Sequence, residues 1–446
     1  MTEQTFDVCV IGAGPAGLGF ITEWVRRVGR GRVLLVEAGT DIESRFCTVQ
    51  SLRGCRKVTP CQVTSGVGGA SGLAGGKLSE YPAGRALTKL MGDSAELELI
   101  RSKEMMADFM SLSSAPIDAI RLEKERDYYR NLDYELRHYP ANKYSQAQLM
   151  SAWGDMLRHA VSCGVEVRLQ TRAASLEASG DGVKVRLLGP EGDSSVQAGA
   201  VLIATGRTGA DLVQGVGSIS ASHPVDVGVR IEFPSKDWVD MDAFHGDLKL
   251  HFGNARTFCA SKSGWISPYR HKDIMLLEGR TDDDNKSPWS NIAISVRTDQ
   301  PPTEVFEHVR AASLLQGPGS SIRQPLQDYL GGKTTAAASR EPRASFSYWR
   351  WGDINALFPS SIGDDIRAAV ARFTSEVLPP VAARNAFVFG PEIDYYWDTL
   401  PHRGALPGVW SAGDVTGLYR GTLQAYTAGR YLVDEVAHHL ALEAAS

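Results

Sequence analysis

Phe6-Asp-Val-Cys-Val-Ile11 is a short, mostly apolar and β-branched run, the pattern of a strand covered on both faces. Helical spacing follows from Leu18 to Val28, and Arg32-Val-Leu-Leu-Val-Glu37 is a second strand of the same buried kind. Together they predict a β-turn-α-β unit. From Thr40 to Gly84 the periodicity stops. This stretch is rich in Gly, Ser, Cys and Pro and reads as a long functional loop. Charged helical sequence fills roughly Ser94 to Arg130, a helix is expected from Gln146 to Cys163, and a strand from Gly164 to Arg168. Two strand-like runs flank the Gly180-Asp-Gly182 turn, and Ala200-Val-Leu-Ile-Ala-Thr-Gly206 is a buried strand ending in a glycine turn. From about Val216 to Ser345 the texture changes to alternating strands with Trp and Tyr. From about Asp364 the chain returns to helix, strand, glycine turn and helix. The pattern predicts an α/β protein with a discontinuous first domain, residues 1–215 and 376–446, interrupted by a mixed or antiparallel β cap over 216–375.

Composition narrows the function class. At 446 residues and 43% hydrophobic content the chain is long for one domain. The net charge of -5, with acids and bases mixed along the chain, lacks the basic footprint of a nucleic-acid binder. No apolar run approaches the roughly 18–20 residues that span a bilayer. The N-terminal stretch has no basic segment of the signal-peptide kind and reads as a buried strand. Six cysteines make no disulfide framework, so a reducing cytoplasm is the expected compartment.

The chemistry lies in the glycine turns. Gly12-Ala-Gly14-Pro15-Ala16-Gly17 joins the first strand to its helix. Gly12 permits the tight turn, Gly14 lets the backbone approach a pyrophosphate, and Gly17 lets helix and strand pack closely. The helix N-terminus offers unpaired N–H groups and a partial positive charge to the phosphates. Glu37, 20 residues after Gly17 and followed by Ala38, is placed to accept from adenosine ribose hydroxyls. This is the context of a Rossmann-type dinucleotide site. Ala204-Thr205-Gly206 and Val167, each on or just after a neighbouring strand, join the expected binding set. Near the C-terminus a strand ends at Gly413-Asp414, and Gly421-Thr422 opens a helix. In flavoproteins with this arrangement the Asp binds the ribityl chain and the helix N-terminus faces the isoalloxazine, so the expected cofactor is FAD. No second GxGxxG is present for a separate NAD(P)H domain. The Asp-Gly pair usual in single-component aromatic hydroxylases is also missing. Trp349 and Trp351 read as two packing tryptophans.

Gly66-Val-Gly68-Gly69-Ala-Ser-Gly-Leu-Ala-Gly75-Gly76-Lys77-Leu78 resembles the glycine-rich loop of the poorly characterised FAD-dependent dehydrogenases, and blocks at 224–232, 257–259, 389–392 and 413–421 are similar to others of that family. The resemblance implies that Gly68, Gly69, Gly76 and Lys77 contact the flavin. It departs from the family in two ways. Only Cys47, Cys55 and Cys61 precede the loop, with Val58 where a further cysteine would complete a C-x-x-C-x-x-C run, so no metal site is expected. Ala74-Gly75 replaces the usual Ser-Asp.

Candidates for catalysis are Lys77, as a cation near the flavin or a structural contact, with Tyr419 and Arg420 between the Gly-Asp turn and the last helix. Arg420 has two readings, a bidentate clamp for a substrate carboxylate or an ion pair within the fold. Cys259, His402 and Arg403 are weaker candidates, and Tyr395, Tyr396 and Trp397 are read as core. The expected function is hydride transfer through flavin N5 to or from a small organic substrate, and the tryptophans of the cap suit a specialised metabolite. NAD(P)H or another donor is the expected redox partner. A monooxygenase and a tRNA-modifying flavoprotein stand as alternatives.

Overall fold

The computed structural model describes residues 4–49, 54–112, 118–180, 182–207, 209, 224–238, 249–336, 343–394 and 399–441. Tyr395, Tyr396 and Trp397 lie outside them. The chain forms an α/β structure built on two large sheets.

Gln4–Ile11 is central to a seven-stranded sheet. Val33–Val36 and then Glu166–Arg168 pair parallel on one side, and Gly192–Ile203 pairs parallel on the other. Gly192–Ile203 is long enough to serve two further neighbours. Its first half pairs antiparallel with Gly182–Gly189, and its last residues pair parallel with Val409–Ser411. Val8 and Val10 point into a core shared with helices Pro15–Arg27, Gln146–Ser162 and Thr422–Tyr431, while Phe6, Cys9 and Ile11 point into a second core with Val183 and Val185. Two apolar faces explain the unbroken apolar run.

Helices Pro15–Arg27 and Thr422–Tyr431 cross at backbone distance. A Cβ on Gly19 would stand 2.3 Å from the Tyr426 carbonyl oxygen, and one on Gly429 would stand 1.9 Å from that of Ala16. Only glycine permits this approach, and it brings the two helix N-termini to one place. The Gln146–Ser162 helix is fixed at its start by a capping box between Ser145 and Gln148.

The second sheet has eight strands, in the order Trp349–Trp351, Ser321–Pro325, Phe387–Asp394, Val225–Pro234, Trp289–Thr298, Ala255–Ser261, Lys249–Phe252 and Glu135–Arg137. All neighbours are antiparallel except the first two. Along Val225–Pro234 the apolar residues Val225, Val227, Val229, Ile231 and Phe233 join one core with residues of helices Pro302–Gln316 and Ser360–Glu376. The intervening Asp226, Arg230 and Glu232 are buried too.

Strands were expected without interruption up to about Ser345, but Pro302–Gln316 is a helix. Pro302 stands in its first turn, where a missing N–H costs nothing, and Val305, Phe306 and Val309 form its buried stripe. Trp349 and Trp351 do pack together, with ring centroids 5.0 Å apart, and both flank the guanidinium of the fully buried Arg323, at 4.4 and 5.1 Å.

Candidate functional site

A cavity of about 880 Å³ is lined by elements of both sheets. Gly12, Gly14, Pro15 and Ala16 form part of its wall. Gly12 has φ +109°, and a Cβ there would stand 2.4 Å from the Ala204 carbonyl oxygen, so the turn can pass only as glycine. Gly14 caps the following helix with backbone alone; among the described residues no side chain caps its first N–H groups, and no acid sits in its first turn. Those donors and the positive end of the helix dipole are therefore open to an anion in the cavity. Gly17 lies behind the wall, where a Cβ would stand 1.9 Å from the Gly12 carbonyl oxygen; it serves helix–strand packing.

The loop from Gly66 onward closes on this turn. The Gly68 N–H donates to the Ala13 carbonyl at 2.8 Å, and Gly69 lines the cavity beside Gly14. Gly68 itself packs on Trp153, outside the wall. Glu37 ties the loops together: Oε2 accepts from Ala13 N at 2.8 Å, and Oε1 accepts from Gly39 N at 2.7 Å and Gly66 N at 2.8 Å. It still lines the cavity with Ala38, and a carboxylate has about four acceptor sites, so capacity for a further donor remains.

Ala204, Thr205, Gly206, Gly413, Asp414, Gly421 and Thr422 all line the same cavity. Gly421 caps the Thr422–Tyr431 helix, again with no side-chain cap among the described residues. Two buried oxygens here, Thr205 Oγ1 and Asp414 Oδ1, have no hydrogen-bond partner among the described residues. The other Asp414 oxygen accepts from Arg207 Nε at 2.9 Å. Unmet polar atoms, two open helix N-termini and backbone that excludes any Cβ fit a polar, phosphate-bearing dinucleotide such as FAD.

Gly76 has φ +141° and fits so tightly that a Cβ would lie 2.0 Å from the Thr281 carbonyl oxygen; its N–H donates to the Tyr144 hydroxyl at 3.0 Å. Burial pushes that phenol up to about 12. Next to it, Lys77 lines the cavity and its Nζ donates to the Ala260 carbonyl at 2.6 Å. That carbonyl is presented by an irregularity in the pairing of Ala255–Ser261 with Trp289–Thr298, where Cys259 adopts φ +50°.

Arg420 lines the cavity, and its Nη1 lies 2.6 Å from Asp394 Oδ2. Burial works against ionisation of Asp394, but the Arg420 guanidinium holds its carboxyl below the usual range. Tyr419 does not line the cavity. It is buried, stacked on His402 and joined to His402 Nε2 by a short hydrogen bond. Cys259 lines the cavity, whereas Arg403 is exposed and pairs with Glu435 at 2.6 Å. Val167 lines a separate shallow hollow with Leu157 and Leu169. Cys61 stands at the cavity edge and accepts the Arg270 N–H at 3.4 Å, while Cys47 and Cys55 pack against Val49 and its neighbours. Among the described residues no cluster of three or more His, Cys, Asp or Glu is arranged to hold a metal.

Several cavity residues were given no role from the sequence: Tyr269, Glu278, Lys249, Arg256 and Phe258. They come from four different strands and form no linear motif. His271 is also in the wall, its imidazole lowered to about 4 by burial and then by Lys272 and Arg207.

No family profile matches the chain, and no curated protein matches it. Among solved structures it is similar to glycine oxidase from Geobacillus kaustophilus, at 14% identity over 98% of this chain and 95% of that one, with a TM-score of 0.43. NikD, described as an unusual amino acid oxidase essential for nikkomycin biosynthesis, gives 14% identity over 99% and 98%, with a TM-score of 0.43. A flavoprotein/dehydrogenase from Cytophaga hutchinsonii gives 12% identity over 99% and 80%, with a TM-score of 0.45. Among the described residues no helix is long and apolar enough to cross a membrane.

Proposed function

We propose that the chain is an FAD-dependent oxidoreductase acting on a small organic molecule. The observation that carries the reading is the convergence of two helix N-termini without side-chain caps, at Gly14 and Gly421, on one cavity that also holds the unmet oxygens of Thr205 and Asp414. Gly12 to Gly17 would hold the pyrophosphate through backbone N–H groups, Glu37 the adenosine ribose, and Asp414 the ribityl hydroxyls. When bound, the flavin supplies hydride or single-electron transfer. The chain then contributes fixed charge and exclusion of water. Lys77, held on the Ala260 carbonyl, and the Thr422–Tyr431 helix N-terminus place positive charge at the cavity, which stabilises negative charge on a bound group. Residues 216–375, with Glu135–Arg137 and Phe387–Asp394 completing their sheet, serve as the cap that selects the substrate, and the rest of residues 1–215 and 376–446 as the cofactor domain. The family resemblance of the Gly66–Leu78 loop supports the same reading.

Dehydrogenase, reductase and monooxygenase chemistry all suit this cradle. Purified protein should carry FAD, released on denaturation and identified by mass spectrometry. A chain that takes up no flavin even after reconstitution overturns the reading. Asp414→Ala should weaken flavin retention by roughly 10- to 100-fold, the loss of a hydrogen bond to a charged group. Anaerobic reduction by NAD(P)H or a candidate substrate, set against incorporation of labelled oxygen into product, separates dehydrogenase from monooxygenase.

A further inference from the structure

The cavity wall is far more basic than the chain. Ten Lys or Arg residues line it against three acids, Glu37, Glu278 and Asp414, although the chain as a whole carries a net charge of -5. The glycine turns already offer backbone donors for a dinucleotide's phosphates, so this excess calls for another explanation.

Part of the excess is concentrated on one ring. Phe258 has Lys249 Nζ 4.7 Å from its centroid, with the guanidinium carbons of Arg256 and Arg420 at 5.5 and 5.6 Å. Lys249 Nζ also stands 5.0 Å from the Tyr139 ring, and all five residues line the cavity. The ring face attracts each cation, but three like charges around one ring repel one another in a partly dehydrated wall. Asp394 Oδ2, 2.6 Å from Arg420 Nη1, compensates that guanidinium, while the acid beside Arg256 is shared. Asp226 Oδ2 lies 2.6 Å from Arg256 and 3.1 Å from Arg297, so one carboxylate serves two guanidinium groups. Among the described residues, Arg256 Nε is buried without a hydrogen-bond partner. Lys249 and Arg256 belong to adjacent strands, Lys249–Phe252 and Ala255–Ser261, and the antiparallel pairing of those strands places both on this wall.

We propose that the Lys249–Arg256–Phe258 wall is an oxyanion subsite, and that the molecule the cavity accepts beside the cofactor is an organic anion whose carboxylate or phosphate lies between these cations. An anion there relieves the repulsion, supplies the missing acceptor for Arg256 Nε, and leaves the rest of the molecule inside the cavity. The role of this anion as the redox substrate rests on the oxidoreductase reading; the subsite itself does not.

The test is isothermal titration calorimetry on the full chain as purified, with its flavin content measured separately. Benzoate, phenyl phosphate and the uncharged benzyl alcohol are the probes. At least one anion should bind more tightly than the alcohol, with affinity falling as salt is raised. The better of the two anions identifies the oxyanion. Lys249→Met should weaken that anion by roughly tenfold, the low end for a charge-assisted contact, and leave the alcohol unchanged. Lys249 is preferred for the test because removing Arg256 takes one of its two guanidinium partners from the buried Asp226. Equal binding of all three probes, or an anion affinity that Lys249→Met does not change, overturns the subsite. Flavin bound with no anion preference defeats this inference alone. Lys249-dependent anion binding by a chain that holds no flavin defeats the oxidoreductase reading and leaves the subsite standing.

Discussion

Gln4–Ile11 and Val225–Pro234 are the inner strands around which the two sheets are built, and both are buried over most of their length, but they achieve this differently. The first is apolar on both faces and meets a hydrophobic core on each. The second is apolar on one face only. Its other face buries Asp226, Arg230 and Glu232, and each has a partner: Arg256 and Arg297 for Asp226, the Ser345 N–H for Glu232, and a bidentate pair with Glu392 at 2.8 and 2.6 Å for Arg230. Arg230 Nη1 also donates to Asn291 Oδ1 and to the carbonyl of Cys259. A buried polar face is tolerable only when its charges are paired and hydrogen-bonded. In this molecule that pairing also braces the segment whose next carbonyl, that of Ala260, holds Lys77.

The comparison breaks most sharply at Arg230. Arg230→Met leaves Glu392 buried without its cation and should cost about 3–5 kcal/mol, read from urea denaturation. The double variant Arg230→Met with Glu392→Leu removes both charges and should recover much of that loss; a double variant as unstable as the single one would mean that pairing is not what makes the polar face tolerable.

A smaller effect is expected at the edge of the apolar strand's sheet, where Glu37 accepts three backbone N–H groups. Glu37→Gln replaces one acceptor oxygen with a donor that faces N–H groups, at a cost of about 1–3 kcal/mol. Flavin retention should fall with stability, because the same carboxylate joins the Gly12 turn to the Gly66 loop. An unchanged denaturation midpoint would show that the loops are held by other contacts.

A third effect is a pH dependence. Burial pushes the Glu232 carboxyl up to about 7, from 4.5 in its ordinary state. The folded protein therefore binds more protons than the unfolded chain between those values, and stability falls as pH rises through that window. The contribution is fully present below 4.5 and is lost as pH passes about 7. Scanning calorimetry across this range should show wild type losing Tm relative to Glu232→Gln; parallel curves would remove Glu232 as the source.

Local sequence revealed the parts of the site that are made by backbone. The Gly12–Gly17 turn, Glu37, Ala204 to Gly206, the Gly413-Asp414 turn and the Gly421 helix start each follow a strand or open a helix, so their position was readable from short-range pattern. Neighbouring residues in those motifs were harder to assign. Gly17 and Gly68 share the glycine signal but serve close packing, and Tyr419, adjacent to Arg420, turns away to stack on His402. Which side of a turn a residue faces depends on what packs behind it.

By itself the sequence determined the βαβ unit, the glycine turns and the α/β class, because strand burial, helix period and turn geometry are local properties of the chain. Tertiary structure alone decided that Phe387–Asp394 and Glu135–Arg137 join the second sheet, that Arg420 meets Asp394, and that Lys249, Arg256 and Phe258 share one wall. Those partners are separated along the chain, and their meeting depends on strand register, which is set by the packing of whole faces.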